Sequence, residues 1–135
     1  MRGLILFLIA PIWALAQVEL IVPGADFKAS ETITVKIKND GKPQISYCAA
    51  FGQTPLLVQK RSGRKWVNLS NGTDADGIQT LKVLGPGESQ EFPFKMSDMG
   101  EVRLVLDYWM GSTGVNCKHP PKGWQQAQSG VLVIH

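Results

Sequence analysis

The residues best suited to metal chemistry lie in one segment rich in glycine and proline near the end of the chain. Cys117 and His119 are two positions apart. Three methionines shortly precede them: Met96, Met99 and Met110. One cysteine, two histidines and a weakly bound methionine form the ligand set of blue-copper sites. That set is incomplete in this chain, because the other histidine is the terminal His135 and no methionine follows His119. We therefore predict no metal and no cofactor.

Catalytic arrangements are equally hard to assemble from these residues. A serine hydrolase needs a nucleophile, a base and an acid, and its serine often stands in a Gly-x-Ser-x-Gly turn. The sequence has no such motif, and only His119 and His135 could serve as a histidine base. We predict that the protein is not an enzyme.

The polar segment 68–77 matches a calcium loop only in part. With Gly72 in the first ligand position, the twelfth position is Val83 and not the glutamate that binds calcium with both oxygens. A solvated turn is the simpler interpretation. The segment also has two N-glycosylation sequons, at Asn68 and Asn71, which matter only in a eukaryotic cell.

Residues 1–16 have the features of a signal peptide. Arg2 supplies the positive charge, residues 3–13 are apolar, and Ala14-Leu15-Ala16 matches the small-x-small cleavage pattern. The apolar run is too short to span a bilayer comfortably. We predict cleavage after Ala16, a mature chain of residues 17–135, a secreted or periplasmic location, and no stable membrane span after cleavage.

Export changes the interpretation of the two cysteines, Cys48 and Cys117. An oxidising compartment favours a bonded pair over free thiols. Closing a loop of this length removes denatured-state entropy worth about 4 kcal/mol in the chain-entropy model. We predict a Cys48–Cys117 disulfide, with two unrelated thiols as the alternative.

Turn residues divide the mature chain into short apolar stretches every 8 to 14 positions, a spacing typical of β-sandwiches and barrels. The clearest strand alternates Ile33, Val35 and Ile37 with threonine and lysine, and residues 39–41 (Asn-Asp-Gly) predict the turn after it. We predict eight or nine strands, at 18–22, 32–38, 44–51, 56–61, 65–69, 78–84, 90–96, 101–109 and 131–134. Short connections favour antiparallel pairing, and two packed sheets would cover the apolar faces. The prediction is one domain at 17–135.

Five features follow one another in an order known from other exported proteins. They are 35–39 (Val-Lys-Ile-Lys-Asn), the strand with Tyr47, the hairpin 57–67 with Gly63 and Trp66, 84–88 (Leu-Gly-Pro-Gly-Glu) and 100–104 (Gly-Glu-Val-Arg-Leu). This order resembles bacterial immunoglobulin-like domains, in particular accessory domains of exported proteins. It is distantly similar to the fold of an intracellular proteinase inhibitor of bacilli. The resemblance implies an all-β, immunoglobulin-like antiparallel sandwich of about eight strands, and it implies no particular function.

The order Cys48, Trp66, Cys117 is also that of antibody domains, but two details argue against that type. Antibody domains have a tyrosine two residues before the second cysteine, where this chain has Val115. Cys117 also lies in a loop rich in glycine and proline rather than in a strand. We therefore expect the disulfide to join a strand end to the loop before the last strand, and not to cross the core.

The remaining candidate site is a surface beside that loop. Tyr108 and Trp109 end the longest predicted strand, and Trp124 follows the loop that holds Cys117 and His119. Because side chains alternate along a strand, only one of Tyr108 and Trp109 faces the core. We predict that Trp109, His119 and Trp124 form a binding surface for a protein or glycan. The alternative is that the aromatic side chains only cover the core and the loop.

Charge limits the classes of partner. The net charge is +3, and one of the positive charges lies in the predicted signal peptide, which is too little to indicate nucleic acid. The basic group in 60–65 is interpreted as a solvated hairpin tip. The first functional prediction is a non-catalytic module for protein interaction or envelope structure, acting through loops or edge strands. The alternatives are a proteinase inhibitor with an exposed loop and a carrier of a small ligand or metal.

Overall fold

A computed structural model describes residues 17–50, 54–69 and 79–135. The predicted signal peptide and the part of the predicted turn around Asn71 lie outside these ranges. The described chain forms eleven strands: β1 (Val18–Ile21), β2 (Asp26–Phe27), β3 (Thr32–Asn39), β4 (Ile45–Ala50), β5 (Leu57–Ser62), β6 (Lys65–Asn68), β7 (Gln79–Leu84), β8 (Ser89–Lys95), β9 (Gly100–Met110), β10 (Gln125–Gln128) and β11 (Leu132–Ile134). Within these ranges no helix has the length and apolar character needed to cross a membrane.

The strands form two sheets packed as a sandwich. The smaller sheet has the order β1-β3-β8. The larger has the order β2-β11-β9-β4-β7, with β10 and the β5–β6 hairpin also attached to β9. The described pairs are antiparallel except for the two-residue contact between β2 and β11. The predicted all-β, immunoglobulin-like sandwich is confirmed.

The core lies between the sheets, and one face of each central strand supplies it. The core side chains of β3 and β9 are every second residue: Ile33, Val35 and Ile37, then Val102, Leu104, Leu106 and Tyr108. Burying one aliphatic side chain of this size contributes about 1.5–3 kcal/mol. Strand β9 organises the larger sheet, because β4, β5, β10 and β11 all pair with it. Its intervening residues, among them Arg103 and Trp109, therefore point away from the core.

Each of the nine predicted strands overlaps an observed one, and the structure adds β2 and β10. Strand β10 has three glutamines and one buried residue, Ala127, so it lacks the apolar alternation by which strands are recognised. Its partner explains why it forms: residues 125–128 pair with the middle of β9, from Tyr108 back to Val105. A tertiary partner, rather than local pattern, determines this element.

A fully buried asparagine ties the residue before β1 to two turns at one end of the sandwich. Oδ1 of Asn39, at the end of β3, accepts hydrogen bonds from Gln17 Nε2 (2.7 Å) and from the Gly41 amide (3.0 Å). Its Nδ2 donates to the carbonyl oxygens of Pro43 (2.9 Å) and Leu84 (3.0 Å). Across the described residues no buried side-chain nitrogen or oxygen lacks a partner.

The two tyrosines of the chain should report on the integrity of the core. Burial raises the pKa of Tyr47 to about 12 and also raises the pKa of Tyr108. The folded state thus favours the neutral phenol, and this contribution to stability is complete below the ordinary value of 10.0 and is lost as the pH rises through about 12. In an ultraviolet titration we expect folded protein to give less tyrosinate near pH 10 than two tyrosines with the ordinary pKa would give. A full two-tyrosine step at the ordinary pKa in folded protein would contradict the described core.

Candidate functional site

The disulfide is the covalent centre of the candidate site. Cys48 in β4 is bonded to Cys117, with 5.8 Å between their Cα atoms, which confirms the predicted pair. The neighbours of Cys48 in β4, Tyr47 and Ala49, point into the core and are buried. Cys48 therefore points to the other side of the larger sheet, which we call its outer face. As expected from the sequence, the bond attaches a loop to a strand and does not cross the core.

The attached segment, loop 111–124, lies against Trp109. Tyr108 belongs to the core, and Trp109 points to the outer face, so the alternation expected along β9 holds. Trp109 is nevertheless only 9% exposed. Its indole Nε1–H donates to the Pro121 carbonyl oxygen at 3.1 Å. The structure thus places Trp109 under the loop as its support, and not on the accessible surface.

Both ends of loop 111–124 are held by further contacts. At the start, the Gly111 amide donates to the Gln44 carbonyl (2.7 Å), the Ser46 hydroxyl donates to the Gly111 carbonyl (2.7 Å), and Gln44 Nε2 donates to Ser112 Oγ (2.8 Å). At the other end, the chain enters β10, whose first residue, Gln125, pairs with Tyr108 in β9. A loop held at its two ends, at its disulfide and on Trp109 has few conformations left to lose when it binds a partner.

Of the predicted surface residues, Trp124 is the most accessible aromatic. It immediately precedes β10 and is 49% exposed. Gln125 pairs with Tyr108, so continuing this register by one residue sets Trp124 opposite Trp109, on the outer face. His119 is exposed within the loop. Across the described residues no group of three histidine, cysteine, aspartate or glutamate side chains is placed to hold a metal ion.

The outer face of the larger sheet also carries a hydrogen-bonded row of polar side chains that crosses four strands. Gln59 Nε2 in β5 donates to Asn68 Oδ1 in β6 at 2.8 Å. Arg103 Nε in β9 donates to Gln59 Oε1 at 2.6 Å, and Arg103 Nη1 donates to Gln128 Oε1 in β10 at 3.3 Å. We call these four residues the polar row. These hydrogen bonds link the four side chains to one another across the sheet.

An aromatic side chain lies at the hairpin end of the polar row. The guanidinium groups of Arg61 and Arg103 lie over the ring of Trp66, 4.9 and 4.5 Å from its centroid. Arg61 also forms a 3.0 Å ion pair with Glu101. Such cation–π contacts contribute about 0.5–1 kcal/mol at exposed sites. The basic hairpin is therefore not entirely a solvated tip, since Arg61 is engaged with the sheet.

Sequence reasoning missed the polar row because its signal is weak. Gln59 and Arg61 alternate with the buried Val58, and Arg103 alternates with the buried Val102 and Leu104. This alternation is enough to assign the three polar residues to the outer face. The register that sets Gln59 beside Arg103 depends on how β5 and β9 meet, and no local pattern encodes it.

The described cavities are small. A cleft of about 190 Å³ lies between the end of β4 and the start of β5, with Cys48, Asp107 and Trp109 in its wall. Pockets for drug-sized molecules usually measure about 300–1,000 Å³. A second cleft of about 260 Å³, lined by Val58, Phe94 and Met96 among others, is also below that range.

Comparison with known proteins adds little. No protein-family model and no curated protein matches the chain. One similar solved structure is the crystal structure of beta-glucosidase from Listeria innocua in complex with gluconolactone, with a TM-score of 0.32 and 13% identity. The similarity covers 87% of this chain but 16% of that one, so this chain spans a small part of that protein's length. A likeness this low carries no argument about fold or activity.

Proposed function

We propose that the protein is an exported, non-catalytic immunoglobulin-like module that binds a partner through loop 111–124 and the adjoining outer face. Export rests on the signal-peptide pattern of residues 1–16. The Cys48–Cys117 bond fits an oxidising compartment outside the cytoplasm.

The observation that carries the proposal is an exposed tryptophan on a surface that is already ordered. Trp124 is half exposed at the end of loop 111–124, which a disulfide fixes, and the polar row lies on the outer face of the same sheet. Tryptophan and arginine are enriched among the residues that dominate binding energies at interfaces. Prior ordering reduces the entropy lost on association.

The charge of the loop indicates the chemistry of the partner. Residues 111–124 include two lysines, Lys118 and Lys122, and no aspartate or glutamate. Both lysines are exposed. An acidic protein or glycan surface with an apolar patch for Trp124 would complement this loop. We accordingly expect the interaction to weaken as the salt concentration rises.

Substitution of Trp124 tests the proposal. Immobilised wild-type protein, Trp124→Ala and Met99→Ala are each incubated with an envelope extract of the organism that makes the protein. Met99 is 61% exposed but lies in the β8–β9 connection, so it controls for the loss of an exposed apolar side chain. We expect a partner that the wild type and Met99→Ala both retain to bind Trp124→Ala with an affinity lower by roughly tenfold or more. Equal retention by all three baits would contradict the proposal.

A proteinase inhibitor is the second candidate, and the disulfide-anchored loop favours it. Inhibitory loops gain affinity when they are rigid before the protease binds. Incubation with representative serine, cysteine and metalloproteases tests this function directly. No inhibition at micromolar protein would exclude it, whereas inhibition lost on cleavage within 111–124 would favour it over the first proposal.

A further inference from the structure

Gln17, the first residue of the described chain, has its side-chain amide built into the fold. Its Nε2 donates one hydrogen bond to Asn39 Oδ1 at 2.7 Å and another to the Pro43 carbonyl at 3.0 Å, which uses both of its hydrogens. The main-chain carbonyl oxygen of Gln17 accepts from the Asp40 amide at 2.9 Å. Both the side chain and the main chain of Gln17 are thus bound to the end of β3 and the turn after it.

Close packing against Gly41 completes this arrangement. A Cβ atom built on Gly41 would lie less than 3.0 Å from the oxygen, the carbon and the nitrogen of the Gln17 amide, closer than real Cβ atoms come to their neighbours. Glycine at position 41 is therefore needed for the amide to occupy its site. Since the opposing atoms are the end of a flexible side chain, an alanine there would displace the Gln17 amide and leave the strands in place.

The predicted cleavage after Ala16 would give Gln17 a free α-amino group. An N-terminal glutamine can then close on itself. The α-amino nitrogen attacks Cδ and forms a new N–Cδ bond, and the Cδ–Nε2 bond breaks. Nε2 takes up the proton that the α-amino group loses and leaves as ammonia. The product is a five-membered lactam, and the reaction requires no oxidant, reductant or other reactant.

We propose that Gln17 is a site of lactam formation at the mature N-terminus and that the folded domain restrains this modification. The leaving nitrogen is the same atom that donates to Asn39 and Pro43. Cyclisation therefore removes both hydrogen bonds, and the side chain must leave its site for the ring to close. Folding and modification are in competition, so the native chain reacts through states in which the Gln17 side chain has opened.

Mass spectrometry measures this competition. The chain is expressed with residues 1–16 attached so that it is exported, and the mature protein is purified. Its N-terminal peptide is then followed for loss of ammonia in buffer and in guanidinium chloride, at one pH and temperature with the disulfide intact. We expect native protein to react roughly thirtyfold more slowly than unfolded protein, the factor that corresponds to two hydrogen bonds of ordinary net strength.

Gly41→Ala provides the matched test, with Gly130→Ala as control because a Cβ at Gly130 meets nothing within 4 Å. Native Gly41→Ala should react near the unfolded rate, and native Gly130→Ala at the native wild-type rate. Equal native and unfolded rates, an unchanged rate in Gly41→Ala, or native protein isolated fully cyclised would overturn the proposal. The inference rests on the predicted export with cleavage after Ala16. The same mass spectrum checks that cleavage, because it identifies the first residue of the mature chain. A mature chain that starts elsewhere refutes the cleavage and this inference together, while the Trp124 experiment still tests binding.

Discussion

Replacing Cys48 with serine is expected to lower the free energy of unfolding by about 4 kcal/mol. The bond joins residues 69 positions apart, and without it the unfolded chain regains the corresponding conformational entropy. The change also frees the middle of loop 111–124, so that hydrogen bonds alone hold the loop on Trp109. Denaturant unfolding followed by tryptophan fluorescence measures both effects, because a loosened loop exposes the indole of Trp109 to water.

The remaining cysteine variants separate the bond from the side chains. Cys117→Ser and the double variant should lose as much stability as Cys48→Ser, since one bond is lost in each case. Thiol titration of denatured, unreduced protein provides an independent measurement. Two reactive thiols in that titration would show that the bond does not form. A double variant much less stable than either single variant would show that the side chains, and not the bond, supply the stability.

Asn39→Ala is the second change with a large expected effect, a loss of about 2–4 kcal/mol in the free energy of unfolding. Asn39 is 0% exposed and its amide takes part in four hydrogen bonds. Its removal leaves the Leu84 carbonyl and its other partners without that amide in a site from which water is largely excluded. The start of β1 is loosened as well, because Gln17 loses one of its acceptors.

Gln59→Ala is a suitable control for Asn39→Ala. Gln59 has the same amide group and hydrogen bonds to Asn68 and Arg103, but these bonds lie toward solvent on the outer face. Water can replace the lost partners there, so we expect a loss of less than about 1 kcal/mol. Chemical denaturation of both variants gives the comparison. Equal losses would mean that burial does not determine the contribution of Asn39.

The parts of the fold that could be predicted from sequence are those encoded by local pattern. The alternation in β3 and the turn at 39–41 identify strands and their ends, and the cysteine pair follows from the predicted export. Strand β10 has no such pattern and forms only because β9 lies beside it. The sequence indicates Asn39 only as a turn residue, and its burial depends on Gln17 and Leu84, which are distant in sequence.

For the candidate site, the sequence could predict which residues it contains but not how they are arranged. Sequence alone located the loop, its cysteine and the aromatic residues on either side of it. The cover over Trp109 arises from the path of the loop, with Pro121 meeting the indole, and sequence patterns do not report the path of a loop. The pairing of Gln59 with Arg103 depends on the register between β5 and β9, and the two residues are 44 positions apart in sequence. Long-range register thus defines the outer face that the proposal relies on.

Photo-crosslinking from single positions tests the central claim, that loop 111–124 and the outer face bind the partner. A photoreactive residue replaces His119 in the loop, Gln126 just after it, or Thr34, which is exposed on the smaller sheet on the opposite side of the sandwich. After irradiation in the envelope extract, we predict one common adduct from positions 119 and 126 and none of that mass from position 34. The same adduct from position 34, or an adduct from position 34 alone, would contradict the claim.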